Sequence, residues 1–321
     1  MQLSKGRRLG CYFLKTPETY SKEEMLRAAH LYYRQNISQK GVAVLMKVSQ
    51  AKIARMLAVA RQRGLVNITV AGYDPHDHDL EQSLLSKFPL KSVAVIKTLG
   101  ASAADCQRRF VAHFGAPFIA SIISPGSEVV MAGGRTIAEM VQRLPEDRQR
   151  HVSVLQALGV VDIGPAHLDA ILLGRTLAQR WGGSFMPIEA PAMVMNRQTR
   201  DWLLRQGNAA SFWQRLGHAD AAIVAVGTPT NSVFAGCYAA NPADLAVLQE
   251  HGAVGEICGR FFDRAGRECD SPWRDQVISV ELDQLRQCPQ VIALVAGRDR
   301  SIAVASAIHG GLVKSLVIDF Y

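Results

Sequence analysis

Residues with chemical potential gather in a few short spans of this chain. Val130-Met131-Ala132-Gly133-Gly134-Arg135-Thr136 passes from an apolar run into a helix-like stretch. Paired glycines let backbone N–H groups approach an anion at a helix start, and Arg135 and the Thr136 hydroxyl add donors. Val226-Gly227-Thr228, followed by Asn231 and Ser232, is a second turn of this kind, and Val295-Ala296-Gly297 with Arg300 is a third. A guanidinium matches phosphate oxygens in bidentate fashion. Gly255-Glu256 adds a carboxylate able to accept protons from sugar hydroxyls. Each turn alone is ordinary strand-end chemistry. Together they suit a small, anionic, hydroxylated ligand.

A second set lies near the N-terminus. Gln50 and Lys52 follow Ser49 at the start of a helix, with Arg55 one turn later. Gln bonds adenine, and Lys or Arg bonds guanine N7 and O6, while Ser and Arg also grip phosphates.

The elements that position these residues can be read from caps and periodicity. Ser21-Lys22-Glu23-Glu24 is a capping box, opening a helix to about Gln35 that Asn36 ends. Ser38 caps a short helix, Lys47-Val48 makes a tight turn, and Ser49 caps a third helix that stops at Gly64. This is the helix-turn-helix plan, and residues 65–70 alternate as the strand of a wing. Lys47 stands where such turns often use glycine, a cost of about 1 kcal/mol if its backbone is left-handed.

Charge follows the same division. The chain of 321 residues carries a formal charge of +8, but residues 1–70 hold +10 and the remainder −2. A basic module on a near-neutral body is the footprint of a polyanion-binding protein. Residues 71–79 read as a polar linker. His76 and His78 with Asp74, Asp77 and Asp79 resemble a metal cluster there, but alternating ligands on an irregular segment rarely close a site, so no metal is expected.

From residue 80 the chain alternates between strand and helix patterns. Apolar runs at 92–96, 128–131, 152–158, 221–226, 277–280, 291–295 and 315–318 are separated by helical stretches. Those lie at 105–122, 136–144, 167–181, 201–206, 242–250 and 300–308. The expectation is a doubly wound α/β domain with a mostly parallel sheet, binding its ligand at the carboxyl ends of the strands. No apolar run reaches the roughly 18 residues of a membrane helix, and residues 1–10 lead into no apolar signal core. The six cysteines lack C-x-x-C spacing, which suits reduced thiols and a cytoplasmic setting. There is no G-x-S-x-G, H-E-x-x-H or Walker A pattern, and no paired acid/base signature.

Several of these residues together carry a family likeness. Leu31-Tyr32-Tyr33, Ser38-Gln39, Val42-Ala43, Val48-Ser49, Lys52-Ile53, Arg55-Met56-Leu57, Ala60 and Gly64-Leu65-Val66 form the N-terminal part. Residues 133–136, Gly227, 252–256, 259–263, Gly266, Ala296-Gly297, Arg300 and Gly310-Gly311 form the rest. The pattern resembles the SorC family of sugar-responsive bacterial transcriptional regulators over about residues 25–319. The resemblance implies a winged helix-turn-helix domain (1–70), a linker (71–79) and a sugar-isomerase-like α/β effector and oligomerisation domain (80–321). It implies a non-enzymatic, cofactor-free regulator, a homotetramer or dimer, whose partners are operator DNA and a phosphorylated sugar or polyol. By position, Ser38, Gln39, Ser49, Gln50, Lys52 and Arg55 would lie on DNA, and Gly133, Gly134, Arg135, Thr136, Glu256 and Arg300 would line the effector pocket. The family usually has Asp at Glu256, Lys at Arg300 and Gly at Ala296, and continues past the equivalent of Tyr321 into a final helix. A sugar-phosphate isomerase-like enzyme with a helical adaptor is the second reading, disfavoured by the basic helix-turn-helix.

Overall fold

The computed structural model describes residues 20–66, 68, 73–98, 104–161, 169–207, 209–232, 247–248 and 250–320. The chain divides into two compact units, Met1–Ala71 and Gly72–Tyr321.

In the first unit α1 (Lys22–Ala29) opens on the expected capping box. Ser21 Oγ accepts from the Glu24 N–H at 3.1 Å, and the Glu24 carboxylate accepts from the Ser21 N–H at 2.9 Å. The helix continues through a π-turn, His30–Arg34, and the chain reverses at Asn36 with φ 56°. There follow α2 (Gln39–Met46) and α3 (Gln50–Gln62), capped by Ser38 and Ser49. Between them Lys47 is left-handed, at φ 54° and ψ 44°. Met25, Ala28, Val42, Ile53, Met56 and Leu57 close a core of their own. Of the wing expected over 65–70, positions 67, 69 and 70 lie outside the described residues, and residues 65, 66 and 68 carry no strand pairing.

The second unit alternates as the apolar runs require. Its first half runs α4 (His78–Lys87), β1 (Ser92–Lys97), α5 (Ala104–Ile122), β2 (Glu128–Met131), α6 (Arg135–Val141), β3 (Ser153–Gln156), α7 (Ala170–Arg180) and β4 (Ser184–Met186). Then come α8 (Arg197–Leu203), α9 (Ala209–Gly217), β5 (Ala221–Val224), the hairpin β6 (Gly255–Ile257) and β7 (Arg260–Phe262), α10 (Leu282–Gln287), β8 (Gln290–Val295), α11 (Ser301–His309) and β9 (Ser315–Phe320). Seven strands form one wholly parallel sheet in the order β1-β9-β8-β5-β2-β3-β4. The buried run Val291–Val295 inside the sheet is the signature of a strand covered on both faces.

The winding explains where a ligand site forms. From β2 the chain moves outward through β3 and β4; from β5, the neighbour of β2 on the other side, it moves outward through β8 and β9. Right-handed crossovers therefore place α5, α6 and α7 on one face and the later helices on the other. The reversal between β2 and β5 opens a crevice at the carboxyl ends of those two strands.

Three expectations are corrected. Residues 71–79 are not a linker from Asp74 onward. Pro75 and Asp77 bond to β1 (Lys97 N to Pro75 O 2.7 Å, Asp77 N to Val95 O 2.9 Å), His76 bridges Ile96, and Asp77 caps α4. This segment covers the exposed edge of the sheet. The buried Glu81 carboxylate takes one ring nitrogen of His76 and one of His78, each at 2.8 Å, and Val95 N–H at 2.9 Å. The other ring nitrogen of His78 meets Asp74 at 2.7 Å, so bonds to two carboxylates raise the His78 pKa. The run 277–280 is not a sheet strand; it pairs with the segments around Leu158 and Met193 through isolated bridges. The helix expected at 201–206 lies at Arg197–Leu203, because Asn196 caps it through Thr199 N–H. The short strand β4 and the β6–β7 hairpin were not anticipated. The helix expected at 242–250 falls outside the described residues except at 247, 248 and 250. No helix among the described residues is long and apolar enough to cross a membrane.

The left-handed Lys47 yields a stability prediction. Lys47→Gly should stabilise the N-terminal unit by about 0.5–1 kcal/mol, the left-handed penalty less the entropy of an unfolded glycine. Urea denaturation followed on that unit's signals should show the midpoint rise.

Candidate effector cavity and nucleic-acid face

On the N-terminal unit, Ser38 and Ser49 spend their oxygens as caps, accepting from Gly41 N–H at 3.2 Å and Lys52 N–H at 3.1 Å. Both are exposed, and a capping hydroxyl still has a proton to donate. Gln50, next to Ser49, is exposed at the N-terminus of α3. Lys52 is half-buried, its ammonium 5.9 Å from the Tyr20 ring centroid. Arg55 is half-buried, its Nε–H directed at Ala51 O at 3.4 Å. Gln39, also half-buried, sits in the first turn of α2.

On the α/β unit, a cavity of about 710 Å³ occupies the crevice between the β2 and β5 loops. Gly133, Gly134, Arg135, Thr136, Glu256 and Arg300 all line it, though more than 160 residues separate the first from the last. Gly134 is the N-cap of α6, at φ 117°, a conformation closed to other residues. No side chain caps the helix, so its first N–H groups are open to an incoming acceptor. Arg300 comes from the turn between β8 and α11. Its guanidinium donates to Ala296 O and lies 3.8 Å from Asp299. Burial lowers its pKa, and the neighbouring Arg108 and Arg135 add to that, yet arginine stays charged.

Glu256 reaches the cavity from β6. Its backbone exchanges two hydrogen bonds with Gly227 (2.9 and 3.0 Å), which brings the hairpin against the turn after β5. The carboxylate accepts from Gly259 N–H and from the Ser232 hydroxyl. A Cβ at Gly227 would stand 2.8 Å from Glu256 Oε2, so glycine is required for the carboxyl to lie there. Burial raises the Glu256 pKa from 4.5 to about 7, despite the two bonds that oppose it. Near neutral pH this group is part acid and part carboxylate. It can donate to one ligand oxygen and accept from another.

Sequence reasoning missed Arg108, Asp169 and Cys258, which also line the cavity. Arg108 lies on α5, distant in sequence from every loop motif, and carries no local signal. Asp169 caps α7 through Ile171 N–H, and Cys258 is a buried thiol whose pKa desolvation pushes up. Among the described residues no group of three or more His, Cys, Asp or Glu is arranged to hold a metal.

Comparison with known proteins agrees with this architecture. Residues 75–320 match the family described as "Putative sugar-binding domain". The sorbitol operon regulator of Klebsiella pneumoniae is 26% identical over 308 residues, covering 91% of this chain and 94% of that protein. The deoxyribonucleoside regulator of Bacillus subtilis is 29% identical over 307 residues, covering 92% and 94%. The erythritol catabolism regulatory protein of Brucella abortus is 24% identical over 299 residues, covering 92% and 93%. The crystal structure of the full-length Klebsiella pneumoniae regulator superposes with a TM-score of 0.73 at 23% identity, over 94% of this chain and 97% of that one. The "Putative Sugar-Binding Domain of Transcriptional Repressor" from Vibrio fischeri gives 0.67 at 25% identity, over 76% and 95%.

The buried carboxyl predicts a pH dependence with a definite sign. A folded pKa raised above the unfolded one means the folded state binds the proton more tightly, so stability falls as pH rises from about 4.5 to about 7. Glu256→Gln removes this titration. Between pH 5 and pH 8 the variant should gain on the parent by up to about 3 kcal/mol, read from urea denaturation at a series of pH values.

Proposed function

This chain belongs to the SorC family, the bacterial transcriptional regulators that carry this sugar-binding domain, and from that premise we propose that it controls a carbohydrate or polyol catabolic operon through a phosphorylated sugar or polyol bound in the cavity. The observation that carries the reading is the convergence of Gly133, Gly134, Arg135, Thr136, Glu256 and Arg300 on one cavity at the switch point of a parallel sheet. The uncapped start of α6 with Arg135, Thr136 and Arg300 suits the phosphate. Glu256, able to donate and accept, suits ligand hydroxyls.

The N-terminal unit is the operator-binding part. Its charge of +10 supplies the non-specific attraction, and the start of α3 presents Gln50 to the major groove, with Lys52 and Arg55 following on the same helix. Ser38, Gln39 and Ser49, at the starts of α2 and α3, lie on the phosphate backbone. Effector binding shifts the balance between states of different operator affinity, for which a coupling of about 1–3 kcal/mol suffices. The protein works in the cytoplasm as a homotetramer or dimer. An isomerase-like activity is not favoured, because relatives that match more than nine-tenths of the chain are regulators.

Binding of the purified protein to its own upstream DNA, across salt and with a panel of sugar and polyol phosphates, tests the whole reading. Arg55→Ala should weaken DNA binding by about tenfold, a typical loss for one charged contact, and leave effector binding intact. Arg300→Ala should keep basal DNA binding and lose the response to the effector. Equal loss of both functions in either variant would overturn the assignment of the two roles to separate units.

A further inference from the structure

Three guanidinium groups border the cavity, from three different elements: Arg108 on α5, Arg135 at the start of α6 and Arg300 before α11. Arg108 is held from behind. It forms an ion pair with Asp105 one turn earlier on the same helix, and its side chain is only 12% exposed while Asp105 is 58% exposed. Arg300 is held in the same way by Asp299 and by Ala296 O. Asp319 stands behind the same turn, accepting from Gly297 N–H at 3.0 Å, and Asp299 accepts from Asn231 Nδ2 at 2.9 Å. None of these three aspartates lines the cavity, whereas all three arginines do. The carboxylates therefore orient the cations and leave their inward faces to a ligand. All three line the same cavity, and the Arg108 and Arg135 charges both act on Arg300. A single negative charge would leave like charges facing one another there; a doubly charged group compensates them better.

We infer that Arg108 completes a three-arginine end of the cavity that selects a doubly charged terminal phosphomonoester over singly charged diesters and carboxylates. This rests on the reading of the cavity as the effector site. Arg135 and Arg300 supply the anion affinity, and Arg108 supplies the discrimination by charge. Its planar fork, already held by Asp105, addresses the phosphate oxygens with little further ordering cost.

Binding to the full-length protein near pH 8 tests this with simple probes. Methyl phosphate is a dianion there, since a phosphomonoester loses its second proton at a pKa of about 6; dimethyl phosphate and acetate carry one charge. Calorimetric titration of the parent protein should show methyl phosphate binding at least about tenfold more tightly than either comparator, the scale of one charge-assisted contact. Arg108→Gln should remove most of that preference by weakening methyl phosphate, with dimethyl phosphate changed by less than about threefold. Arg108→Lys, which keeps the charge but not the fork, should fall between them. An unchanged urea midpoint for the α/β unit separates these effects from misfolding, and the Lys variant carries the test if the Gln variant fails to fold.

Equal affinity for methyl and dimethyl phosphate in the parent, or an Arg108→Gln variant that keeps the full preference, overturns the role of Arg108. If Arg300→Ala also leaves methyl phosphate binding untouched, or if the parent binds none of the probes, the effector-site reading falls with it. Loss in Arg300→Ala without loss of preference in Arg108→Gln or Arg108→Lys removes Arg108 alone.

Discussion

Seven strands running in one direction send every strand-to-helix turn to the same edge of the sheet. In this protein that directional constraint does most of the organising. The turns after β2, β5 and β8 meet at that edge although their residues lie far apart in the chain. Because the winding reverses between β2 and β5, the helices on either side diverge and leave a space there. Gly133 to Thr136, Gly227, Asn231, Ser232 and Arg300 reach one cavity for this reason. The hairpin β6–β7 is not part of the sheet, yet two backbone bonds from Glu256 to Gly227 bring its carboxyl to the same place.

The cavity treats its two kinds of charge differently. The arginines Arg108 and Arg300 are backed by carboxylates and carbonyls that stabilise the cation and fix its direction. Glu256 is buried and takes its bonds from neutral donors, Gly259 N–H and the Ser232 hydroxyl, so its proton is held near neutrality instead of being lost. A ligand with an anionic end and a hydroxylated body meets a fixed positive end and a carboxyl whose protonation can adjust. Burying that carboxyl costs stability above neutral pH, and a site that must respond to a ligand tolerates such a cost.

The N-terminal unit closes a separate core around Met25, Val42, Ile53 and Met56. Capping rather than bulk carries its design. Ser21, Ser38 and Ser49 each start a helix by accepting an N–H from three residues on, and the short turn between α2 and α3 is held with a lysine in the left-handed region. The strain at Lys47 is tolerated because the helices on both sides pack into the same core.

Caps, strand runs and glycine turns were legible in the linear chain because each is a local device. A serine three residues before the N–H it accepts, or an unbroken apolar run of four to six residues, carries its own instruction. On that basis the three N-terminal helices, six of the seven sheet strands and the six pocket positions could be anticipated. The three-residue strand β4 has too little pattern to be seen and exists through its pairing with β3. The segment 73–77 looks like a polar tether, and becomes the cover of the β1 edge because Glu81 and the β1 backbone supply its partners. The run 277–280 has the hydrophobicity of a sheet strand, but the neighbours that claim it lie around Leu158 and Met193. Arg108 looks like any helix-surface arginine until α5 is laid beside α6 and the β8 turn. Local signals survive in one dimension because their partners are a few residues away. Edge pairing, the gathering of three cations and the pKa of Glu256 depend on neighbours brought together by crossovers, and these arise only when the sheet is assembled.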